Sequence, residues 1–210
     1  GFALSTSNGW SSIDFQIKNG GAVTTISAVG VAIENGWHHI AATYNSISGM
    51  KIYVDGNFIN STGVTGGLAS NAQQLTIGAQ HDGAGSADSD YSNFFNGNID
   101  ELRIWNVERT LAQIRYTKDT PLEGNEVGLA AYYQFNQGTV GGNNSSISSV
   151  TESVNGLNAA LPLATAFDLS GSTSNFVTSY DNAPAAPSSF GGIVLAVTGG
   201  SNSYIYEWYK

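Results

Sequence analysis

The chain has no cysteine, four prolines, one methionine and only seven basic residues among its 210 positions. Without cysteine no disulfide can form, so stability must come from a buried core and from any bound ions. Nucleic-acid binding needs clustered cations, and here the lysines and arginines are scattered, so we expect no nucleic-acid partner. No apolar run approaches the roughly 18 residues of a membrane span, so we expect no membrane insertion.

The residues that are abundant point to one class of protein. Apolar residues make up 41% of the chain, enough for a core, whereas charged residues make up only 11%. The polar surface must therefore consist of Ser, Thr, Asn and Gly, which is typical of an all-β, turn-rich protein that is secreted or displayed on the cell surface. The net charge of −9 suits calcium, which takes oxygen ligands, and disfavours sulfated or uronic polysaccharides.

Short apolar or alternating segments recur between Gly, Asn and Ser turns along most of the chain. They predict strands at Phe2–Ser5, Ile13–Ile17, Val23–Val29, His38–Tyr44, Lys51–Val54, Leu75–Gly78, Ile99–Trp105 and Leu129–Phe135. Asp55-Gly56 supplies the positive-φ pair of a tight hairpin. A short helix is predicted after Thr110, with Gln113 completing a capping box. This pattern predicts an antiparallel β-sandwich of the jelly-roll type.

The chain also shows a change of composition towards its end. Residues 181–192, DNAPAAPSSFGG, combine Pro, Ala, Ser and Gly as linkers do. Residues 193–210 read as two strands around a Gly-Gly turn, and two strands do not make an independent domain. We therefore expect a jelly roll over 1–180, a linker over 181–192, and the beginning of a second β domain over 193–210.

Two adjacent histidines follow Trp37 in the segment GWHHIAATYN. Neighbouring residues on a strand point to opposite faces, so His38 and His39 cannot chelate one ion together. A zinc site would need further ligands, and the chain offers no cysteine and one other histidine, His81. We expect one histidine to be packed against other side chains and the other to be exposed to solvent.

Four motifs, WHHIAATYN, KIYVDGNFI, LTIGAQ and FFNGNIDELRIWN, occur in the order and spacing of a known family. Together they resemble the laminin-G-like branch of the concanavalin A-like jelly rolls, over roughly residues 1–135. GLAAYYQFNQG and SVNGLNAAL are similar to an extension frequent in surface proteins of Bacteroidetes, and residues 193–210 resemble the opening of Ig-like or adhesin-type repeats. The resemblance implies that Trp37 and Ile40 fill the core and that the histidines have no ligand role. Family members usually carry strands ahead of GFALSTSN, so another segment of a longer chain is an expected partner.

The resemblance also bears on catalysis. Glycoside hydrolases that share this fold carry paired carboxylates on one strand, as in E-x-D-x-x-E, and that array is absent here. Adjacent Asp100 and Glu101 should point to opposite faces, and the G-x-S-x-G motif is absent as well. We expect no enzymatic activity.

Asp100 is the candidate metal ligand. In laminin-G-like domains the aspartate of the motif resembled by FNGNID often helps to hold calcium, so the resemblance implies a structural calcium ion at Asp100. An acid at the rim of a sandwich needs some partner. A structural hydrogen bond, or a salt bridge with Arg103 or Arg109, is the alternative.

The candidate ligand site is the loop over residues 81–95, HDGAGSADSDYSNFF. Its acids Asp82, Asp88 and Asp90 resemble part of a calcium loop without the full D-x-[DN]-x-[DN]-G framework, and a solvated acidic loop is the alternative. Sugars need flat apolar faces beside amides and carboxylates. The candidates for such contacts are Trp10, Tyr91 and Asn93, whereas Phe94 and Phe95 are expected in the core.

These observations lead to two hypotheses about function. The first is a non-catalytic extracellular binding module that recognises a polysaccharide or cell-surface glycan at loops on the rim of the sandwich, with structural calcium. The second is a structural or adhesive segment of a very large multi-domain adhesin, without a small ligand. Saturable binding of a saccharide distinguishes them.

Overall fold

The computed structural model describes residues 2–7, 11–31, 33, 36–68, 75–81, 91–160, 167, 170–171, 174–178, 184–187, 193–195 and 203–209, the last three ranges as backbone only. Within these ranges the chain is nearly all-β, with antiparallel strand pairs and one short helix. The strands are β1 Phe2–Ser7, β2 Ser12–Asn19, β3 Ala22–Val29, β4 His39–Asn45, β5 Gly49–Val54, β6 Asn57–Thr62, β7 Leu75–Ile77, β8 Gln80–His81, β9 Tyr91–Ser92, β10 Asn98–Trp105, β11 Leu129–Tyr133, β12 Ser149–Val150, β13 Ala159–Ala160, β14 Val177–Thr178, β15 Pro184–Pro187, β16 Ile193–Leu195 and β17 Ser203–Tyr209. The helix is α1, Leu111–Thr117.

The chain divides into two compact units that are discontinuous in sequence. Unit 1 contains residues 1–71, 103–130 and 199–210, and unit 2 contains residues 72–102 and 131–198. Strands β10 and β11, which pair with each other, contribute residues to both units. The candidate loop over 81–95 belongs to unit 2, and the predicted hairpin and helix belong to unit 1.

Unit 1 is built on two antiparallel sheets. Strands β1, β2 and β3 form one sheet, and β4, β5 and β6 form the other, with the backbone of β17 on the far side of β4. In β2 the side chains of Ile13, Phe15 and Ile17 are buried, as alternation requires of a strand with one face on a core. Strand β3 contacts β5 and β6, so the apolar faces of the two sheets form a sandwich.

The hairpin between β5 and β6 has the predicted turn. Asp55 and Gly56 have φ values of 51° and 71°, and Val54 pairs with Asn57 across the two-residue turn. Two successive residues with positive φ define a type I′ turn, whose twist matches that of the flanking strands. The prediction from Asp55-Gly56 is confirmed.

Helix α1 lies on the face of the β4–β5 pair opposite Ile40 and Val54. Ile114 packs against Ala41 and Tyr53, which are cross-strand partners. The Thr110 hydroxyl accepts the Gln113 N–H at 3.2 Å, and the Gln113 side chain accepts the Thr110 N–H at 2.8 Å, so the predicted capping box is confirmed. Both faces of β4 are therefore covered, which explains why His39 to Tyr44 are all buried.

The far end of α1 is held by a buried arginine on β10. Arg103, fully buried, donates from Nη1 to the Thr117 carbonyl at 2.7 Å and from Nη2 to the Thr120 carbonyl at 2.6 Å. The carbonyl groups at a helix C-terminus lack intrahelical partners, and the planar guanidinium serves the one of Thr117 together with that of Thr120, which lies beyond the helix. Arg103 thus fixes the point at which the helix ends.

Unit 2 combines short strands with long ordered turns. Strand β7 pairs with β16, β16 with β13, and β13 with β12, while β8 pairs with β9 and the start of β10 pairs with β15. Its core includes Tyr132, Tyr133 and Phe135, and the rings of Phe167 and Phe176 meet edge to face at 5.0 Å. Phe176 lies so close to Gly138 that any side chain there would collide with the ring.

The eight strands predicted from the sequence are all present, with ends shifted by at most two residues. The two-residue strands of unit 2 were not predicted, because so few residues carry no periodicity. In the described part of the chain no helix is long and apolar enough to cross a membrane. That residues 193–210 begin a second domain stays a prediction, although the backbone of β17 pairs with β4 over seven residues.

Candidate ligand-binding site

The segment predicted to bind a ligand is flanked by the β8–β9 pair in unit 2. Gln80 pairs with Ser92 and His81 with Tyr91, so the two ends of the loop are joined as a short antiparallel ladder. Four of the predicted site residues lie outside the described residues: Trp10, Asp82, Asp88 and Asp90. Their role stays a prediction. Tyr91 and Asn93 are described, and they define the base of the loop.

Two amide side chains meet at this base. Asn93, directly after β9, has φ of 49°, and its Nδ2 donates to Oε1 of Gln80 at 2.8 Å. Asparagine tolerates the left-handed conformation better than most residues do. Both residues are exposed at this surface. The pair therefore presents planar amide groups in a fixed orientation, which the sequence indicated for Asn93 and missed for Gln80.

The aromatic residues beside the amides divide into one buried and one exposed ring. Tyr91 is 8% exposed, and its ring meets that of His81 edge to face at 5.0 Å. Phe94 is 50% exposed, so the prediction that it lies in the core is wrong. That prediction rested on the family resemblance, in which the corresponding residues pack under the next strand. Phe95, whose N–H donates to the Gly78 carbonyl at 2.8 Å, is partly buried.

Asp100, the predicted metal ligand, lies on β10 with its neighbour Glu101. Asp100 is 2% exposed and its Oδ1 accepts the Glu101 N–H at 3.0 Å, while Glu101 is 4% exposed and accepts a hydrogen bond from the Tyr132 hydroxyl. Glu101 has φ of 53°, a conformation that a non-glycine residue seldom adopts inside a strand. Among the described residues there is no group of three or more histidine or acidic side chains arranged to hold a metal. Calcium at Asp100 stays a prediction.

A further buried carboxylate in unit 2, that of Glu152, was not predicted from the sequence. Glu152 is 3% exposed, and its two oxygens accept backbone N–H groups from Tyr132, Val154, Asn155 and Leu157 at 2.7 to 3.2 Å. Four donors converging on one carboxylate satisfy a buried charge without any metal. Glu152 therefore organises the turn after β12. Nothing in the sequence indicated which side chain would close this turn.

The paired histidines of unit 1 are structural, as expected. His39 is 2% exposed, whereas the side chain of His38 is 20% exposed and its Nδ1 lies 2.9 Å from Oδ2 of Asp55. The other oxygen of Asp55 accepts the His39 N–H at 2.9 Å. One histidine is packed and the other partly wet, which confirms the prediction. Trp37 is only partly buried, so the core contribution implied for it is smaller than expected.

Several groups have pKa values displaced from the ordinary range, all of them upward. Burial raises the pKa of Tyr133, and the nearby carboxylate of Glu152 raises it further. The hydrogen bond that Lys51 donates to the Glu108 carboxylate raises the pKa of Lys51. Burial likewise raises the pKa of Tyr44 and of Tyr53. Each of these groups keeps its proton at neutral pH, so none is poised as an acid or base there.

The two-sheet sandwich of unit 1, with its Asp-Gly hairpin and the FNGNIDELRIWN segment on β10, defines a laminin G-like domain of the concanavalin A-like type. The sequence model of the laminin G family, described as the concanavalin A-like lectin/glucanases superfamily, matches residues 1–115. The match covers more than half of the 210 residues, and the chain belongs to this family.

One curated relative extends the comparison beyond the family match. The chain is 28% identical over 144 residues to the sushi, von Willebrand factor type A, EGF and pentraxin domain-containing protein 1 of Rattus norvegicus. This alignment covers 67% of the chain and 4% of the rat protein, so the chain spans a small part of the length of that relative. No solved structure matches the chain significantly. Origin from Bacteroidetes stays a prediction.

Proposed function

We propose that the chain is a non-catalytic extracellular module that binds a glycan at the base of the 81–95 loop. The observation that carries the proposal is the half-exposed ring of Phe94 beside the amide pair of Gln80 and Asn93. A pyranose presents an apolar face of C–H groups and a rim of hydroxyls. An exposed aromatic ring complements the face, and planar amides complement the rim.

The location of these groups supports the proposal. Binding residues occur more often on loops held by a rigid scaffold than on the scaffold itself. Here the β8–β9 ladder and the bond from Phe95 N–H to the Gly78 carbonyl hold the base of the loop. The superfamily description also names lectins, which bind saccharides, and glucanases, which cleave them.

No reaction is part of the proposal. The E-x-D-x-x-E array of the glucanase type is absent from the sequence, and the carboxylate of Glu152 is occupied by four backbone donors. A general acid needs a reachable proton and a partner base at a set separation. Recognition without chemistry is the function that these groups support.

The test compares the wild-type chain with two variants on a panel of plant, algal and bacterial-surface polysaccharides. Phe94→Ala and Asn93→Ala should each weaken binding to the recognised glycan at least tenfold, because each removes one of the two contact types. Val140→Ala is the matched control, since Val140 is 45% exposed in the same unit. Absence of saturable binding by the folded wild-type chain, or equal binding by all variants, would refute the proposal.

Calcium is a separate part of the proposal. The buried carboxylate of Asp100 suits a hard cation, with further ligands supplied by carbonyl oxygens. Calcium binding to the folded state alone would raise the melting temperature, an effect that EDTA reverses. Asp100→Asn should abolish that rise, whereas Asp14→Asn, a partly exposed aspartate of unit 1, should retain it. A calcium response that is unchanged in Asp100→Asn would remove the ion from this residue.

The second candidate function is that of a structural segment in a very large surface adhesin. The small share of the rat protein that the chain covers favours it, because such a segment can act as a spacer. In this case a folded sample should bind no polysaccharide with saturation, in calcium or in EDTA. The same panel therefore decides between the two functions.

A further inference from the structure

A strip of side chains on unit 1 lies outside the site just proposed. Strand β6 is at the edge of its sheet, and five of its six residues are exposed. Tyr53 pairs with Phe58 and Lys51 pairs with Ser61 across β5 and β6. Lys51 and Tyr53 are two residues apart on β5 and therefore share a face. The register shift between these pairs lets Phe58 and Ser61, three residues apart, lie on that face too.

The apolar end of the strip is a fixed aromatic ring. Phe58 is 50% exposed, and its ring meets the buried ring of Tyr53 edge to face, with centroids 5.9 Å apart and an interplanar angle of 69°. Tyr53 is held in turn by Ile114 of α1. Phe58 is thus supported on one side and open to solvent on the other, as a stacking platform must be.

The polar end of the strip is an ion pair beside a hydroxyl. Nζ of Lys51 lies 2.6 Å from Oε1 of Glu108, and the two side chains are 30% and 21% exposed. Ser61, exposed, is the cross-strand partner of Lys51. The two ends are separated by two residues of β5, about 7 Å. That spacing matches the step from one sugar ring to the hydroxyls of the next.

Residues 108–115 form a wall along this strip. At one end Glu108 is bound by Lys51 and by the Ser48 hydroxyl, the latter at 3.4 Å. At the other end Nε of Arg115 donates to the Gly56 carbonyl at 2.8 Å. The segment therefore runs above β5 from its first residues to the turn after it. Helix α1 also contacts β6, but five of the six residues of β6 stay exposed, and we call the exposed strip from Phe58 to Ser61, Lys51 and Glu108 the ledge.

We propose that this ledge is a second saccharide-binding site, which takes an uncharged oligosaccharide with one ring stacked on Phe58 and neighbouring hydroxyls on Ser61, Lys51 and Glu108. An uncharged ligand fits because the lysine and glutamate neutralise each other and together offer both donors and an acceptor. The site belongs to unit 1 and the site of the proposed function to unit 2, so either can fail while the other holds.

The experiment is an NMR titration of the isotopically labelled chain with cellohexaose, laminarihexaose, xylohexaose and mannohexaose. At least one sugar should shift the amide signals of β5 and β6 in a saturable way. Phe58→Ala should weaken that binding at least tenfold, and Phe58→Trp should retain it within about threefold because stacking is preserved. Val29→Ala, at a 71% exposed position on β3, is the control that should bind as the wild type does.

Ser61→Arg covers the case in which Phe58→Ala fails to fold, because position 61 is exposed and no core contact is altered. It should obstruct the ledge and weaken binding as strongly. The proposal is overturned if none of the four sugars shifts the amide signals of β5 and β6. It is also overturned if Ser61→Arg and a folded Phe58→Ala both bind the sugar within twofold of wild type. In either case the exposed β6 edge would suit a protein segment that pairs with it rather than a sugar. Sugar binding that is lost only in Phe94→Ala would support the proposed function and overturn the second site.

Discussion

At the scale of single residues, Glu152 is the side chain whose removal should cost the most. Glu152→Ala leaves four backbone donors without their carboxylate, and each unsatisfied buried group costs about 1–3 kcal/mol. We expect a loss of at least about 3 kcal/mol in the free energy of unfolding, measured by urea denaturation, since water can replace part of the lost bonds.

The control for Glu152 is Glu126→Ala. Glu126 is partly exposed, and its carboxylate accepts the N–H groups of Glu123 and Gly124, at 2.9 and 3.0 Å. Because water can reach these donors, its loss should cost about 1 kcal/mol or less. A cost of Glu152→Ala that is no greater than that of Glu126→Ala would show that the four bonds do not stabilise the turn.

The raised pKa of Tyr133 should make the stability of the protein depend on pH in the alkaline range. Burial raises the pKa of Tyr133 in the folded state, so the unfolded chain releases this proton first, near pH 10. The folded state then binds more protons than the unfolded state, and the free energy of unfolding falls as pH rises above 10. Tyr133→Phe should make this fall shallower, as measured by urea denaturation between pH 9 and about 11.

The same substitution has a cost at neutral pH. The hydroxyl of Tyr133 donates to the Leu157 carbonyl at 2.6 Å, and its removal should cost about 1 kcal/mol. Tyr116→Phe is the control, because Tyr116 is 84% exposed and should change neither quantity. If the alkaline slopes of Tyr133→Phe and wild type coincide, another buried group dominates the titration.

At the scale of elements, helix α1 depends on both of its ends. Seven residues are too few for a helix to be stable alone, so the cap at Thr110 and the guanidinium at Arg103 must hold it on the sheet. Thr110→Ala should cost about 1 kcal/mol. Arg103→Lys should cost more, about 2–4 kcal/mol, because an ammonium group cannot reach two carbonyls as a planar fork does.

The measurement for α1 is urea denaturation of the two single variants and of the double variant. Thr110 and Arg103 act on opposite ends of the same helix, so each end matters less once the other has frayed. The loss of unfolding free energy in the double variant should therefore be smaller than the sum of the losses in the two single variants. A smaller cost for Arg103→Lys than for Thr110→Ala would contradict the role assigned to the arginine.

At the scale of the whole molecule, the net charge of −9 sets which polymers can approach. A negative surface repels polyanions, and salt screens this repulsion beyond a distance of about 10 Å at 0.1 M. We expect binding of a neutral glycan to be insensitive to salt. The carboxymethylated form of the same polymer should bind at least tenfold more weakly at low salt and recover as salt is added. Stronger binding of the carboxymethylated form would indicate a local cationic site.

Local patterns were reliable guides wherever one face of a strand meets a core. The alternation in β2 and the Asp55-Gly56 pair predicted a strand and a hairpin correctly, because the period of the side chains and the φ of the turn are properties of a few neighbouring residues. Phe94 was placed in the core from the family resemblance instead, and that prediction is wrong: the residue follows Asn93, whose φ of 49° is left-handed, and it is half exposed.

The sequence by itself determined the antiparallel all-β class, the positions of eight strands, the hairpin, the helix cap and the membership of the laminin G-like family, because each follows from short-range periodicity or from motifs in order. Only the tertiary structure decided which polar groups meet. The hydrogen bonds of Asn93 to Gln80, of Tyr132 N–H to Glu152 and of Lys51 to Glu108 join residues 13, 20 and 57 positions apart along the chain. Such encounters depend on strand pairing and chain reversal, which leave no local signal in the residues that take part.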